Sequence, residues 1–359
     1  MNLAAATNES LANTSNVLIY SSMAVYTLAF FAHIAEWVFG SRSKVGRTAA
    51  ALSASGAAAS ATTAKKAGAG GTAVLERPEV VTRSATGTRD VPDGPGAAGG
   101  TFKGDLWGRI AVSLTVVAFL VQASGVATRA LSVQRAPWAN MYEFSITFTT
   151  VVVGTYLVLL ALKKNVRWIG LPMVTTVLLD LGIAVTALYT DSDQLVPALH
   201  SVWLWIHVST AIICGAVFYL GAVGTILYLF RDGYENKLAS GGTPGKFATS
   251  VMERLPSAAS LDKFSYRINA AFFPLWTFTI IAGAIWAGNA WGRYWGWDPK
   301  ETWSFITWVA YAAYLHARAT AGWKGRKAAY LALVAFACWL FNYYGVNIFV
   351  SGLHSYAGV

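Results

Sequence analysis

Apolar residues collect in eight long runs, at about 17–39, 106–128, 144–162, 168–189, 203–230, 269–288, 304–320 and 328–350, with glycine, proline and charged residues gathered between them. At 1.5 Å per residue, about 20 helical residues cross roughly 30 Å of hydrocarbon. Runs of this length predict helices, because a barrel strand needs about half as many residues and alternates polar with apolar. The expected fold is all-α: a polytopic integral membrane protein with about eight transmembrane helices.

Composition agrees. Hydrophobic residues make up 55% of the 359 and charged residues 12%, and the mean hydropathy is +0.47, which excludes an ordinary soluble domain. The basic residues then orient the chain, since Lys and Arg stay on the cytoplasmic side of short loops. Nine lie in 40–105, Lys163, Lys164 and Arg167 add three, 231–268 holds six, and Arg318, Lys324, Arg326 and Lys327 add four. The alternate loops carry only Arg129, Arg135, Arg293 and Lys300. Both termini are expected outside. The net charge of +10 is mostly this inner-face bias and gives no argument for nucleic acid.

The first sixteen residues lack a basic stretch, and Arg42, Lys44 and Arg47 follow the first run. That run is expected to stay as a reverse-oriented anchor, not to be cleaved as a signal peptide. Residues 40–104 are rich in Ala, Gly, Ser and Thr, too little apolar area to offset the entropy of ordering them. The expected organisation is an anchor helix over 1–39, a flexible cytoplasmic linker over 40–104 and a seven-helix core over 105–359.

The segment Trp286–Trp308, WAGNAWGRYWGWDPKETWSFITW, holds six of the fifteen tryptophans. A lone tryptophan at a membrane boundary is commonly an interfacial anchor, and Trp286 and Trp308 fit that role. Trp291, Trp295 and Trp297 instead sit in a Gly-spaced stretch between helices, with Arg293, Asp298, Lys300 and Glu301 interleaved, which suggests a platform for a large planar ligand. Asp298-Pro299-Lys300-Glu301 also reads as an N-cap, a proline at the first helical position and a capping-box acid.

Imidazole facing lipid is costly, so the depth of the five histidines is informative. His33 lies about 10 Å before the inner end of the first helix, and His316 lies in the inner third of the seventh; they form a candidate inner pair. His207, in the first turn of the fifth helix, and His354, after the eighth, form a candidate outer pair beside the aromatic segment. Two convergent imidazoles and a stackable surface suit haem iron, whereas zinc lacks third and fourth ligands at suitable spacing. His200 is expected to be a solvated loop residue. Cys214 and Cys338 lie inside helices with no C-x-x-C pairing, as packing residues. Glu36 either orients His33 or snorkels to the interface. Asp180, in mid-membrane, is a functional candidate by position.

WGRYWGWDPKETW resembles the WWD signature of the haem-handling superfamily. PWANMYEF at 137–144, LHSVWLWIHVSTAIICG at 199–215, the stretch from DKFSYRINAAFFPLWTF through YLHAR, and GVNIFVSGLHSYA at 345–357 are similar, in order, to the CcsA (ResC) branch of System II cytochrome c maturation, also named CcsB. The resemblance spans about 105–359. It implies that His207 and His354 ligate exported haem b beside the WWD segment, and that His316, with His33, serves an inner site. It implies that haem is presented on the outer face of the cell membrane to a C-x-x-C-H motif of an apocytochrome c, as part of a holocytochrome c synthase (haem lyase). The implied partners are a ResB-type (Ccs1) membrane protein with a large outer domain, the apocytochrome c itself and a separate thiol-reducing protein. Arg293 is the expected propionate partner. A bis-His diheme electron carrier linked to quinone is the competing class; it explains the histidine pairs but not the tryptophan platform. A solute transporter would call for a clear internal repeat and paired broken helices.

Overall fold

The computed structural model describes residues 7–41, 93–94, 96–194 and 199–354, and every regular element among them is helical. Along the chain these are α1 (Glu9–Ser41), α2 (Phe102–Val133), α3 (Met141–Ala161), a 3-10 turn at Arg167–Ile169 leading into α4 (Gly170–Thr186), α5 (Val202–Ala239), a short α6 (Lys246–Met252), α7 (Ala258–Trp291), α8 (Pro299–Ala319), α9 (Arg326–Leu340), a π-helical turn at Phe341–Gly345, and α10 (Val346–Phe349). Side chains start the helices where the sequence supplies capping residues. Thr101, Asn140, Ser201, Ser257 and Asp298 each accept an N–H from the first turn that follows them, which satisfies donors that have no partner inside the helix.

Among the described residues, seven helical segments are long and apolar enough to cross a membrane, so the chain is a polytopic membrane protein. The eighth expected span, 304–320, does form a helix of spanning length, but α8 falls short in apolarity. Its residues include two Trp, two Tyr and two Thr, Lys300 and Glu301 lie in its first turn, and His316 and Arg318 lie near its end. It packs against α7 and α9. Exposed Leu28, Phe31, Leu120, Val158, Leu179 and Ile281 give the bundle an aliphatic outer surface suited to hydrocarbon.

Two antiparallel pairs organise the bundle. α1 lies along α2, with the Ser15 hydroxyl donating to the Gly125 carbonyl at 2.7 Å and Tyr26 to Gln122 at 2.8 Å; Gln122 in turn donates to Ile146 and Thr149 of α3. α5 lies along α7, where Gly221 and Gly224 admit Asn269 and Ser265. At the end marked by the basic loops, Arg167 bridges Glu36 at 2.6 Å and Asp105 at 2.9 Å. At the opposite end, fully buried Glu143 is held between Arg129 and Arg135. These guanidiniums also bind the Thr190 and Asp193 carbonyls, which fixes the loop after α4.

Of the expected linker, 42–92 lies outside the described residues. Its last part belongs to the fold: Asp93 accepts from Ser257, and Arg254 donates to the carbonyls of Trp37 and Ala97. α2 therefore begins at Phe102, inside the interval read as linker.

Candidate functional site: an indole-walled cavity with two histidines

At the end opposite the basic loops, α3, α5, α7, α8 and the final helix enclose a cavity of about 1180 Å³, its open mouth included. His207 and His354 both line it, as expected of the outer pair. Its walls include Trp138, Trp276, Trp286, Trp291, Trp295 and Trp339.

Each histidine is held through Nδ1. His207 lies in the second turn of α5, and its Nδ1 is 2.8 Å from the carbonyl of Thr279 on α7. A carbonyl only accepts, so the proton is on Nδ1 and the lone pair on Nε2. Room for this ring comes from Gly283, where an added Cβ would lie 2.6 Å from His207 Cε1. The His354 Nδ1 is 2.7 Å from Asp298. Burial opposes ionisation of Asp298, yet the hydrogen bond from His354 and the N–H groups of Leu353 and Lys300 outweigh it and hold its carboxyl below the usual range. The ionised carboxylate accepts, so His354 has the same tautomer as His207. This backing of Nδ1 by a carbonyl or carboxylate is how proteins fix a histidine that ligates through its other nitrogen.

The tryptophans sort differently from the sequence expectation. Trp291 and Trp295 line the cavity; the ring of Trp291 is 5.0 Å from that of His354. Trp297 does not line it. It has φ 59° and is 65% exposed, with its ring edge-on to Trp295 and Phe305, because the left-handed turn before the Asp298 cap swings it outward. Trp286, expected as an anchor, is buried and packs 5.8 Å from His207. Trp308 packs between helices and donates to Thr277.

Arg293 also lies off the cavity wall, drawn to Glu301 at 3.3 Å. Glu301 completes the capping box expected from sequence and accepts the N–H groups of Gly296 and Asp298. Asp298 is thus both the cap of α8 and the support of His354.

The inner histidines are not brought together. His33 is fully buried, with Nδ1 3.4 Å from Glu36 and Nε2 without a partner, facing Gly170. Glu36 is buried on Arg167, so it orients His33 instead of snorkelling. His316 is exposed on α8 and bonds to Thr320 one turn on. α8 stands against α7 and α9, and α1 against α2 and α4; this separation could not be read from depth alone. His200 is exposed, and Asp180 accepts from Tyr344.

Spacing in the sequence did not reveal Thr279, Gly283 or Asn342 as parts of the site, and it placed Lys300 in the aromatic segment without a role. Asn342 and Tyr343 reach it from the π-helical turn, a distortion that recurs at functional sites. PWANMYEF was the available signal for Trp138–Met141, which form one wall.

The fold and site define a multi-pass membrane protein whose far end carries two oriented imidazoles in an aromatic cavity. Residues 138–354 match the family model described as "Cytochrome C assembly protein", and the chain belongs to that family. It is 36% identical over 309 residues to the cytochrome c biogenesis protein CcsA of Crocosphaera subtropica, covering 72% of this chain and 91% of the relative. The CcsA protein of Synechococcus elongatus is 37% identical over 279 residues, 67% of this chain and 85% of the relative. That of Trieres chinensis is 38% identical over 246 residues, 61% and 77% respectively.

Proposed function

We propose that this protein carries haem b as cargo to the cavity at its outer end and presents it for covalent attachment to the C-x-x-C-H motif of an apocytochrome c. The observation that carries the reading is the matched backing of His207 and His354, each Nδ1 held so that Nε2 keeps a lone pair a metal could take. The cavity's indole walls suit a flat, apolar macrocycle. In the attachment step each cysteine S–H adds across a haem vinyl group, forming a C–S bond and placing the hydrogen on the neighbouring carbon, so no oxidant is consumed. The chain's contribution is orientation, exclusion of water and axial ligation.

The same reading gives His33 and His316 an upstream role in delivery. For His33 it is supported by the buried Nε2 without a partner; for His316 it rests on the resemblance. The cavity would face outward with both termini, beside a ResB-type partner, with a separate protein keeping the cysteines reduced.

The test is replacement of His207 or His354 by Gly in cells co-expressing the partner and an apocytochrome c. Bound haem and covalently haem-stained cytochrome should both fall, and added imidazole should restore part of each. A double variant that still assembles cytochrome c overturns the reading, and an electron carrier would leave no covalent haem on the apocytochrome.

A further inference from the structure

Among the described residues, Lys300 is the one lysine or arginine lining the cavity. It occupies the second position of α8, where the aligned peptide dipoles disfavour a cation. Its ammonium turns inward and donates to the Asn342 carbonyl at 2.7 Å; among the described residues it forms no ion pair with a carboxylate. The neighbouring acids are engaged elsewhere, Asp298 with His354 and the Leu353 N–H, and Glu301 with Arg293 and two backbone N–H groups. An ammonium drawn to an apolar cavity with only a neutral acceptor is costly unless the occupant brings an anion.

We infer that Lys300 receives a carboxylate of the cavity's occupant, which for haem is a propionate. The inference rests on the haem reading given above and replaces Arg293, which does not line the cavity and is paired with Glu301. Propionate and vinyl groups occupy different edges of haem, so anchoring a propionate at Lys300 sets which edge meets the incoming cysteines. Lys300 is in this sense a positioning residue, distinct from the axial ligands.

The experiment titrates purified apoprotein with haem b and with haem b dimethyl ester, in which both carboxylates are capped. The wild type should bind the free acid about tenfold more tightly than the ester, the scale of one charge-assisted hydrogen bond. Lys300→Met should lose that preference while its affinity for the ester and its low-spin bis-imidazole spectrum stay unchanged, and Lys300→Arg should keep it. A wild type that does not discriminate, or a Lys300→Met protein that still does, overturns the inference. A wild type that gives no low-spin spectrum with either compound overturns the haem reading itself, and this inference with it.

Discussion

The carboxylate of Asp298 caps α8 and also lies 2.7 Å from Nδ1 of His354. One side chain thus couples the start of a helix to the orientation of a candidate ligand on the chain's final segment. Asp298→Ser separates the two roles, because a serine hydroxyl still caps but cannot reach His354 as a carboxylate. It should leave thermal stability within about 1 kcal/mol of wild type while lowering the haem-to-protein ratio severalfold. Asp298→Ala should lose haem and, in addition, about 1 kcal/mol of helix stability. Full haem retention by the serine variant would remove the orienting role.

Gly283 offers a cleaner perturbation of the other histidine. Inside a helix, Gly→Ala ordinarily adds about 1 kcal/mol of propensity, but here the new methyl would lie 2.6 Å from His207 Cε1, too close for the ring to stay where it is. Gly283→Ala should bind haem weakly in a well-folded helix, and Gly283→Ser should do the same. Normal low-spin absorbance in both variants would show that His207 is not held where Thr279 places it.

The tryptophans divide by position and not by spacing. Trp286→Ala and Trp291→Ala should each weaken haem retention severalfold, given about 0.5–1.5 kcal/mol per aromatic contact beyond area burial. Trp297→Ala should leave retention unchanged. The ratio of haem to protein after detergent purification decides; equal losses at all three positions would mean that the segment acts as a single interfacial anchor.

Glu143 lies fully buried between two guanidiniums. Glu143→Gln leaves both cations without their counter-ion and should destabilise the fold by about 3–5 kcal/mol, measured as loss of folded protein on heating in detergent. Glu143→Gln combined with Arg129→Met should recover part of that. A single variant as stable as wild type would show that the cluster is solvated in the membrane protein.

Much of this was legible in the sequence because it depends on local chemistry. Hydrophobic run length located the helices, and Asp298-Pro299-Lys300-Glu301 gave the capping box. That His207 and His354 would meet at one end of the bundle was legible because one lies near the start of a helix and the other just after one. Direction around a helix was harder. Trp297 and Trp291 look equivalent by spacing, but the backbone turns left-handed at Trp297 and only Trp291 faces inward. Arg293 looked available to a ligand because its neighbour Glu301 was assigned only to capping. His33 and His316 share a depth, yet depth carries no information about which helices stand side by side. The run 304–320 looks apolar because Trp and Tyr are mostly ring, yet each carries a polar group that lowers the apolarity of α8.

The pairing of α1 with α2 has a consequence for how the polypeptide is joined. Contacts such as Ser15 to Gly125, Tyr26 to Gln122 and Glu36 to Arg167 of the neighbouring turn set the register of the first helix along its length. These bonds join side chains of α1 to α2 and to the turn before α4, so the pairing does not depend on a covalent link between the first two helices. A chain severed there and expressed as two pieces should reassemble in the bilayer, with the first helix returning to its groove as a separate subunit.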